Sequence, residues 1–186
     1  MSGSATKAVF LDRDGVLNEA IVRDGRPFSP ASLQEVVIVP GARALMDVLR
    51  RAGFRLIVVT NQPDVARGKI TREAAEAVNR YVCEMAAVDA AELCAHDDAD
   101  ACDCRKPKPG MLLRAAQREG ISLEHSFMVG DRWRDVEAGR RAGCRTVLIG
   151  DGYREAADVR ADATVGDLRA AVDWMLAQSG RAQGDA

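Results

Sequence analysis

The sequence predicts a three-layer α/β/α protein built on a parallel, Rossmann-like sheet, and three observations carry the prediction. Four short segments, 8–11, 55–60, 127–131 and 145–149, are dominated by aliphatic residues and stop abruptly at polar residues or glycine. A strand buried on both faces reads as such a continuous apolar run, whereas a strand with one face in water alternates. Amphipathic helical patterns separate the runs, over 42–51, 71–88, 109–119, 132–142 and 165–178, and strands alternating with helices build a sheet covered on both sides. The polar strand ends then matter, because ligands of such sheets sit at the carboxyl edge. Here that edge carries Asp12, Asp14, Thr60, Asn61 and Asp131.

Each element follows from local chemistry. The run Ala8-Val9-Phe10-Leu11 breaks at Asp12-Arg13-Asp14-Gly15, and Leu56-Ile57-Val58-Val59-Thr60 passes into Asn61-Gln62. The third run ends in Gly130-Asp131, and the fourth at Gly150-Asp151-Gly152. Gly120 and Gly143 follow two of the helical patterns, as expected at a helix stop. A length of 186 residues suits one domain spanning 1–186, with a core over about 6–178 and a small, polar, frayed tail over 179–186. No insertion of domain size parts the strand ends, so no large cap domain is expected.

Composition excludes several partners. With 26 Lys+Arg against 28 Asp+Glu the net charge is −2, so no bulk positive field holds a nucleic acid or an anionic membrane. Aromatics at 4% supply no base-stacking platform, and no apolar run approaches the roughly 18 residues that cross a bilayer. Any anion must be captured locally. The chain is expected to be a cytoplasmic monomer without nucleic-acid or membrane partners.

Five cysteines are present, and Cys94, Cys102 and Cys104 crowd with His96 into eleven residues. Three thiolates and one imidazole at this spacing match a closed, tetrahedral structural Zn²⁺ site over 94–104 rather than disulfides. Cys83 and Cys144 read as small core residues, and His125 as a surface or capping histidine. Asp12 and Asp14, two apart at a strand end, leave the same face. Such carboxylates repel unless a cation or proton separates them, and a hard cation such as Mg²⁺ would also bring a phosphate. One carboxylate could attack phosphorus while the other moves the leaving-group proton. Asp-x-Asp-Gly alone is equally compatible with a turn after a strand.

The motifs taken together resemble the haloacid dehalogenase superfamily of phosphohydrolases. Leu11-Asp12-Arg13-Asp14-Gly15-Val16-Leu17-Asn18 is similar to its first signature and Val59-Thr60-Asn61-Gln62 to its second. Arg105-Lys106-Pro107 with Pro109-Gly110 resembles the third, and Val129-Gly130-Asp131 with Asp135 the fourth. The resemblance implies Asp12 as nucleophile and Asp14 as general acid and base, with Thr60 and Lys106 stabilising the phosphoryl oxygens. It implies Mg²⁺ held by Asp12, Asp14 (through its main chain) and Asp131, with Asp135 behind them orienting waters or Lys106.

The run Cys94-x-His96 with Cys102-x-Cys104-Arg105-Lys106-Pro107 is similar to the branch acting on heptose bisphosphate and histidinol phosphate. Thr60-Asn61-Gln62, Ala66-Arg67-Gly68-Lys69 and Lys108-Pro109-Gly110-Met111 resemble its heptose members, which implies removal of the C7 phosphate of D-glycero-D-manno-heptose 1,7-bisphosphate. Substrate contacts are then implied for Arg13, Asn18, Asn61, Gln62, Pro63, Arg105 and Arg132. Three departures stand out. Pro63-Asp64-Val65 replaces a usual Ser-Gly-Ile, Arg132 replaces a usual Lys, and the five-residue gap between His96 and Cys102 is of the histidinol-phosphate type. Histidinol phosphate therefore stays open as the alternative substrate. Residues 18–30 are expected either to touch the far end of the substrate or to form an ordinary surface turn.

Overall fold

The computed structural model describes residues 6–151, 153 and 159–181. In chain order the strands are β1 (Lys7–Leu11), β2 (Ile21–Arg23), β3 (Arg26–Phe28), β4 (Phe54–Asn61), β5 (Ala90–Cys94), β6 (Phe127–Gly130), β7 (Arg145–Ile149) and β8 (Ala163–Val165). The helices are α1 (Ala42–Arg51), α2 (Arg72–Ala86), α3 (Gly110–Glu119), α4 (Trp133–Ala142) and α5 (Leu168–Arg181). Six strands pair in the order β5-β4-β1-β6-β7-β8, every pairing parallel, while β2 and β3 form a separate antiparallel hairpin. The chain runs from β1 to β4 on one side and reaches β6 on the other. β1 therefore sits where the strand order reverses, and a crevice opens there at the carboxyl ends.

Side chains divide with the two-residue period of the pleat. Val9 and Leu11 of β1, Leu56 and Val58 of β4, and Phe127 and Val129 of β6 face a core completed by α1, α2 and α5. Ala8 and Phe10, Ile57 and Val59, and Met128 face the opposite core, completed by α3 and α4. Both faces are thus dry, and this is why the strands read as unbroken apolar runs. Leu49 and Met46 of α1 are fully buried, each contributing roughly 1.5–3 kcal/mol. Phe54, Phe127 and Trp174 stack edge to face across the first core.

Three elements differ from expectation. The helical pattern read from 165 begins at Leu168, because Val165 belongs to β8 and Asp167 Oδ1 accepts the Ala170 amide at 2.8 Å as a cap. That helix continues to Arg181, so 179–181 is helical rather than tail; the rest of the expected tail, 182–186, and Gly152 lie outside the described residues. Edge strand β5 carries Glu92 and is only half-buried, so it lacks the apolar signature. The segment 18–30 holds the β2–β3 hairpin, turned at Asp24-Gly25 with φ of 51° and 70°, as a two-residue hairpin turn requires. No helix among the described residues is long and apolar enough to cross a membrane.

Candidate active site

Two strand ends and the start of one helix bring the acidic residues together. Asp12 leaves β1, Asp131 leaves β6, and Asp135 stands in the first turn of α4. Carboxylate oxygens of all three lie within 4.8 Å of one another, and all three residues are buried. Two glycines make this crowding possible. Gly15 has φ +83°, and a Cβ there would fall 1.8 Å from Asp131 Oδ2; a Cβ on Gly130 would fall 2.1 Å from the Asp135 Cβ.

Lys106 enters the same cluster, its side chain 2% exposed, with Nζ 2.9 Å from Asp12 Oδ1 and 2.6 Å from Asp135 Oδ1. Asp135 Oδ2 accepts the Arg132 amide at 3.0 Å, so one carboxylate both caps α4 and holds the lysine. Burial pushes the Asp12 carboxyl up to about 6, against the pull of Lys106 and with the push of Asp135 and Asp14. Burial, then the Asp12 and Asp135 charges, also hold the Asp131 carboxyl well above its ordinary value. Burial disfavours the Lys106 ammonium, but Asp12 and Asp135 more than offset it and hold it above its ordinary value. Three carboxylates and one ammonium carry a net charge of −2, and Asp131 Oδ1 is buried without a hydrogen-bond partner among the described residues. Both facts fit one hard divalent cation.

Asp14 is oriented differently. Its Oδ1 accepts from Arg13 Nε and Asn18 Nδ2, each at 3.0 Å. Its Oδ2 accepts from the second Arg13 nitrogen at 3.0 Å, Gln62 Nε2 at 3.0 Å and Ser29 Oγ at 2.7 Å. Burial pushes this carboxyl up, yet Arg13 and the hydroxyl and amide donors bring it below the usual range. Arg13 and Asn18 are fully buried. Expected to meet substrate, they here donate to Asp14 and brace it.

Thr60, at the end of β4, is buried and accepts from Gln62 Nε2 at 3.0 Å. Asn61 spends its amide on the main chain of Lys106, accepting the Lys106 N–H and donating to its carbonyl, both at 3.1 Å. This two-point clamp joins the β4 end to the segment leaving the cysteine cluster.

That cluster is assembled as expected. Cys104 Sγ lies 3.2 Å from Cys94 Sγ, 3.4 Å from Cys102 Sγ and 3.2 Å from His96 Nδ1, while Cys94 Sγ lies 3.8 Å from Cys102 Sγ and 3.6 Å from His96 Nδ1. Zn–S bonds of about 2.3 Å give sulfur–sulfur edges of roughly 3.8 Å in a tetrahedron. The sulfur–sulfur distances of 3.2, 3.4 and 3.8 Å reach that edge or fall somewhat inside it, and all are far too long for disulfides. Burial pushes the Cys94 thiol up to about 12, a cost that a metal ion removes by holding the thiolate.

Above the carboxylates a cleft of about 570 Å³ opens, lined by Arg26 and Phe28 of the hairpin, Gln62 and Pro63 after β4, and Arg67, Arg105, Arg132, Arg134 and Tyr153. A smaller chamber of about 50 Å³ leads from it to Asp12, Asp14, Lys106 and Asp131. The two share Pro27, Phe28, Ser29, Asn61, Arg132 and Arg134. At the rim Asp98 receives Arg105 Nε at 2.8 Å and Arg134 at 3.3 Å, and Asp97 receives Arg67 at 2.6 Å. A dianion would meet five arginines against Asp64 and Asp98.

Ser29, Arg134 and Tyr153, whose hydroxyl donates to Asp131 Oδ2 at 2.8 Å, were not foreseen. Asp24-Gly25 is a hairpin signal that brings Ser29 back to the site. Arg132 and Arg134 at the start of a helix oppose its dipole, so placement there signals a purpose other than helix stability. Tyr153 follows a strand end, and its position is its only signal.

A parallel sheet with clustered carboxylates and a buried lysine at its carboxyl edge defines a haloacid dehalogenase-like hydrolase, and residues 103–171 match the family model described as HAD-hydrolase-like. The chain is 36% identical to the D-glycero-D-manno-heptose-1,7-bisphosphate 7-phosphatase of Chlorobaculum tepidum, over 81% of this chain and 82% of that protein. It is 37% identical to the D-glycero-beta-D-manno-heptose-1,7-bisphosphate 7-phosphatase of Mesorhizobium japonicum, over 90% and 83% of the respective chains. Among solved structures, it resembles the D,D-heptose 1,7-bisphosphate phosphatase of B. bronchiseptica complexed with magnesium and phosphate. That likeness has a TM-score of 0.78 and 32% identity, and covers 92% of this chain and 99% of the other. The chain belongs to this family of heptose-bisphosphate phosphatases.

Proposed function

We propose that the chain is a Mg²⁺-dependent phosphatase that removes the C7 phosphate of D-glycero-D-manno-heptose 1,7-bisphosphate. The observation that carries this reading is a carboxylate–lysine cluster at the floor of a cleft whose walls hold five arginines. Such a wall suits a ligand with a second phosphate better than histidinol phosphate, which has one phosphate and a cationic amine. A kinetic comparison of the two substrates separates them.

Asp12 attacks phosphorus, the bond from phosphorus to the C7 oxygen breaks, and Asp14 gives that oxygen its proton. Asp14 then takes a proton from a water that attacks the aspartyl-phosphate, releasing inorganic phosphate and restoring Asp12. Lys106 and the Thr60 hydroxyl face the charge that gathers on the phosphoryl oxygens. Mg²⁺ held by Asp12, the main chain of Asp14 and Asp131, with Asp135 behind, would screen the carboxylates and draw charge from the phosphoryl group. Asn61 and Asp135 set the main chain and the ammonium of Lys106, and Arg105, Arg132, Gln62 and Pro63 line the substrate's path. Zn²⁺ on Cys94, His96, Cys102 and Cys104 would fold the loop that delivers Arg105 and Lys106.

In this reading the chain works as one cytoplasmic, monomeric phosphatase unit, which sedimentation of the active protein checks. Asp12→Asn is expected to abolish phosphate release while leaving the fold and metal content intact; turnover at the wild-type rate would refute the reading.

A further inference from the structure

We propose that Ser29 is a positioning residue for Asp14, holding the carboxyl from the hairpin wall of the cleft; the inference rests on the proton-transfer role proposed for Asp14. Among the described residues four donate to Asp14: Arg13 and Asn18 are buried in the body of the protein, and Gln62, also buried, stands on the β4 side of the cleft. Ser29 alone comes from the β2–β3 hairpin segment, and its contact of 2.7 Å is the shortest of the five. An ionised acceptor strengthens the bond, and through it the hairpin wall, not only the body of the protein, takes part in aiming the carboxyl.

The chemistry of the donors sets Ser29 apart as well. The Arg13 guanidinium can only donate, and the amides of Asn18 and Gln62 must turn over to present their oxygens, against the second bonds they make to the Glu19 carbonyl and to Thr60 Oγ1. A hydroxyl re-aims by rotation about one bond and can donate or accept. Ser29 can therefore follow the Asp14 carboxyl without turning over a group that holds another partner. Pro27, Phe28 and Ser29 line both chambers, so the wall that a substrate touches and the group that serves its leaving oxygen share one anchor.

Leaving groups of different need test this directly. The constant kcat/KM reports steps up to departure of the leaving group, and a sugar alkoxide needs a proton there while nitrophenolate does not. With Mg²⁺ and Zn²⁺ bound, Ser29→Ala should lower kcat/KM for heptose 1,7-bisphosphate about tenfold, and the ratio of this constant to that for p-nitrophenyl phosphate by nearly as much. Ser29→Thr, which keeps the hydroxyl, should restore the ratio. Equal losses on both substrates, no loss on either, or a threonine variant as poor as the alanine one would overturn the assignment. Asp14→Asn serves as the control. If it depresses both substrates alike, the role of Asp14 fails and the inference with it; if it discriminates and Ser29→Ala does not, only the inference about Ser29 fails.

Discussion

Adding a single methyl group at Gly15 should disable the metal cluster without replacing any of its ligands. The alanine Cβ would lie 1.8 Å from Asp131 Oδ2 and 2.5 Å from Asp131 Cγ, so the carboxylate must retreat by about 1.6 Å to reach an ordinary contact near 3.4 Å. That retreat also breaks the 2.8 Å bond from the Tyr153 hydroxyl. A misplacement of about 1 Å in a reacting constellation costs about 10²-fold in rate, and loss of ligand orientation costs about 10–100-fold in metal affinity. The φ of +83° adds roughly 1–2 kcal/mol of backbone strain for a residue with a Cβ. In a chain of this size each kcal/mol moves the melting temperature by about 2–4 °C. Gly15→Ala should therefore remain folded, melt about 2–8 °C lower, need about 10–100-fold more Mg²⁺ for half-maximal activity and turn over about 10²-fold more slowly at saturation. Magnesium titrations of phosphate release beside thermal unfolding measure all three. A variant with the wild-type magnesium midpoint and rate would refute the placement of Asp131 in the metal site.

Asp135→Ala leaves the Arg132 amide without its acceptor and Lys106 with one carboxylate, and should cost about 3 kcal/mol; Asp135→Asn, which keeps the acceptor, should cost less, as denaturant unfolding will show. Because Asp12 titrates near 6 in the metal-free fold rather than at its unfolded value, the native state holds this proton longer, and its contribution to stability declines as pH rises from about 4 to 6. Without Mg²⁺, the melting temperature of Asp12→Asn relative to wild type should climb across that window, and Mg²⁺ should remove the climb; a flat difference would count against the buried carboxylate cluster. Cys104→Ser should lose bound zinc, melt about 10 °C or more below wild type and lose activity; full activity with no zinc in elemental analysis would dissociate the cluster from Lys106.

Much of the fold was legible because its central strands are dry on both faces. Phe10 points into one core and Leu11 into the other, so β1, β4, β6 and β7 could be read as apolar runs and their ends as a ligand edge. β5 and β8 were not legible, since Glu92 on one and the brevity of the other leave no continuous run. Sequence spacing gathered Cys94, His96, Cys102 and Cys104 within eleven residues, and those side chains meet. Contacts across the chain were hidden. Asp14 and Ser29 are separated by a hairpin, and Asn61 and Lys106 by 45 residues, so nothing local distinguishes a side chain that meets ligand from one that braces its neighbour. Arg13 and Asn18 fall in the second group for this reason.

The Asn61 clamp has a consequence for how a preparation of this protein behaves. One amide grips both main-chain groups of Lys106, two residues beyond the last cysteine of the cluster, so the lysine is either seated with the loop or absent from the cleft. Zinc content then counts competent molecules instead of grading their speed. A partly depleted sample should contain two populations, and the fraction trapped in a single-turnover burst should equal the zinc found per chain.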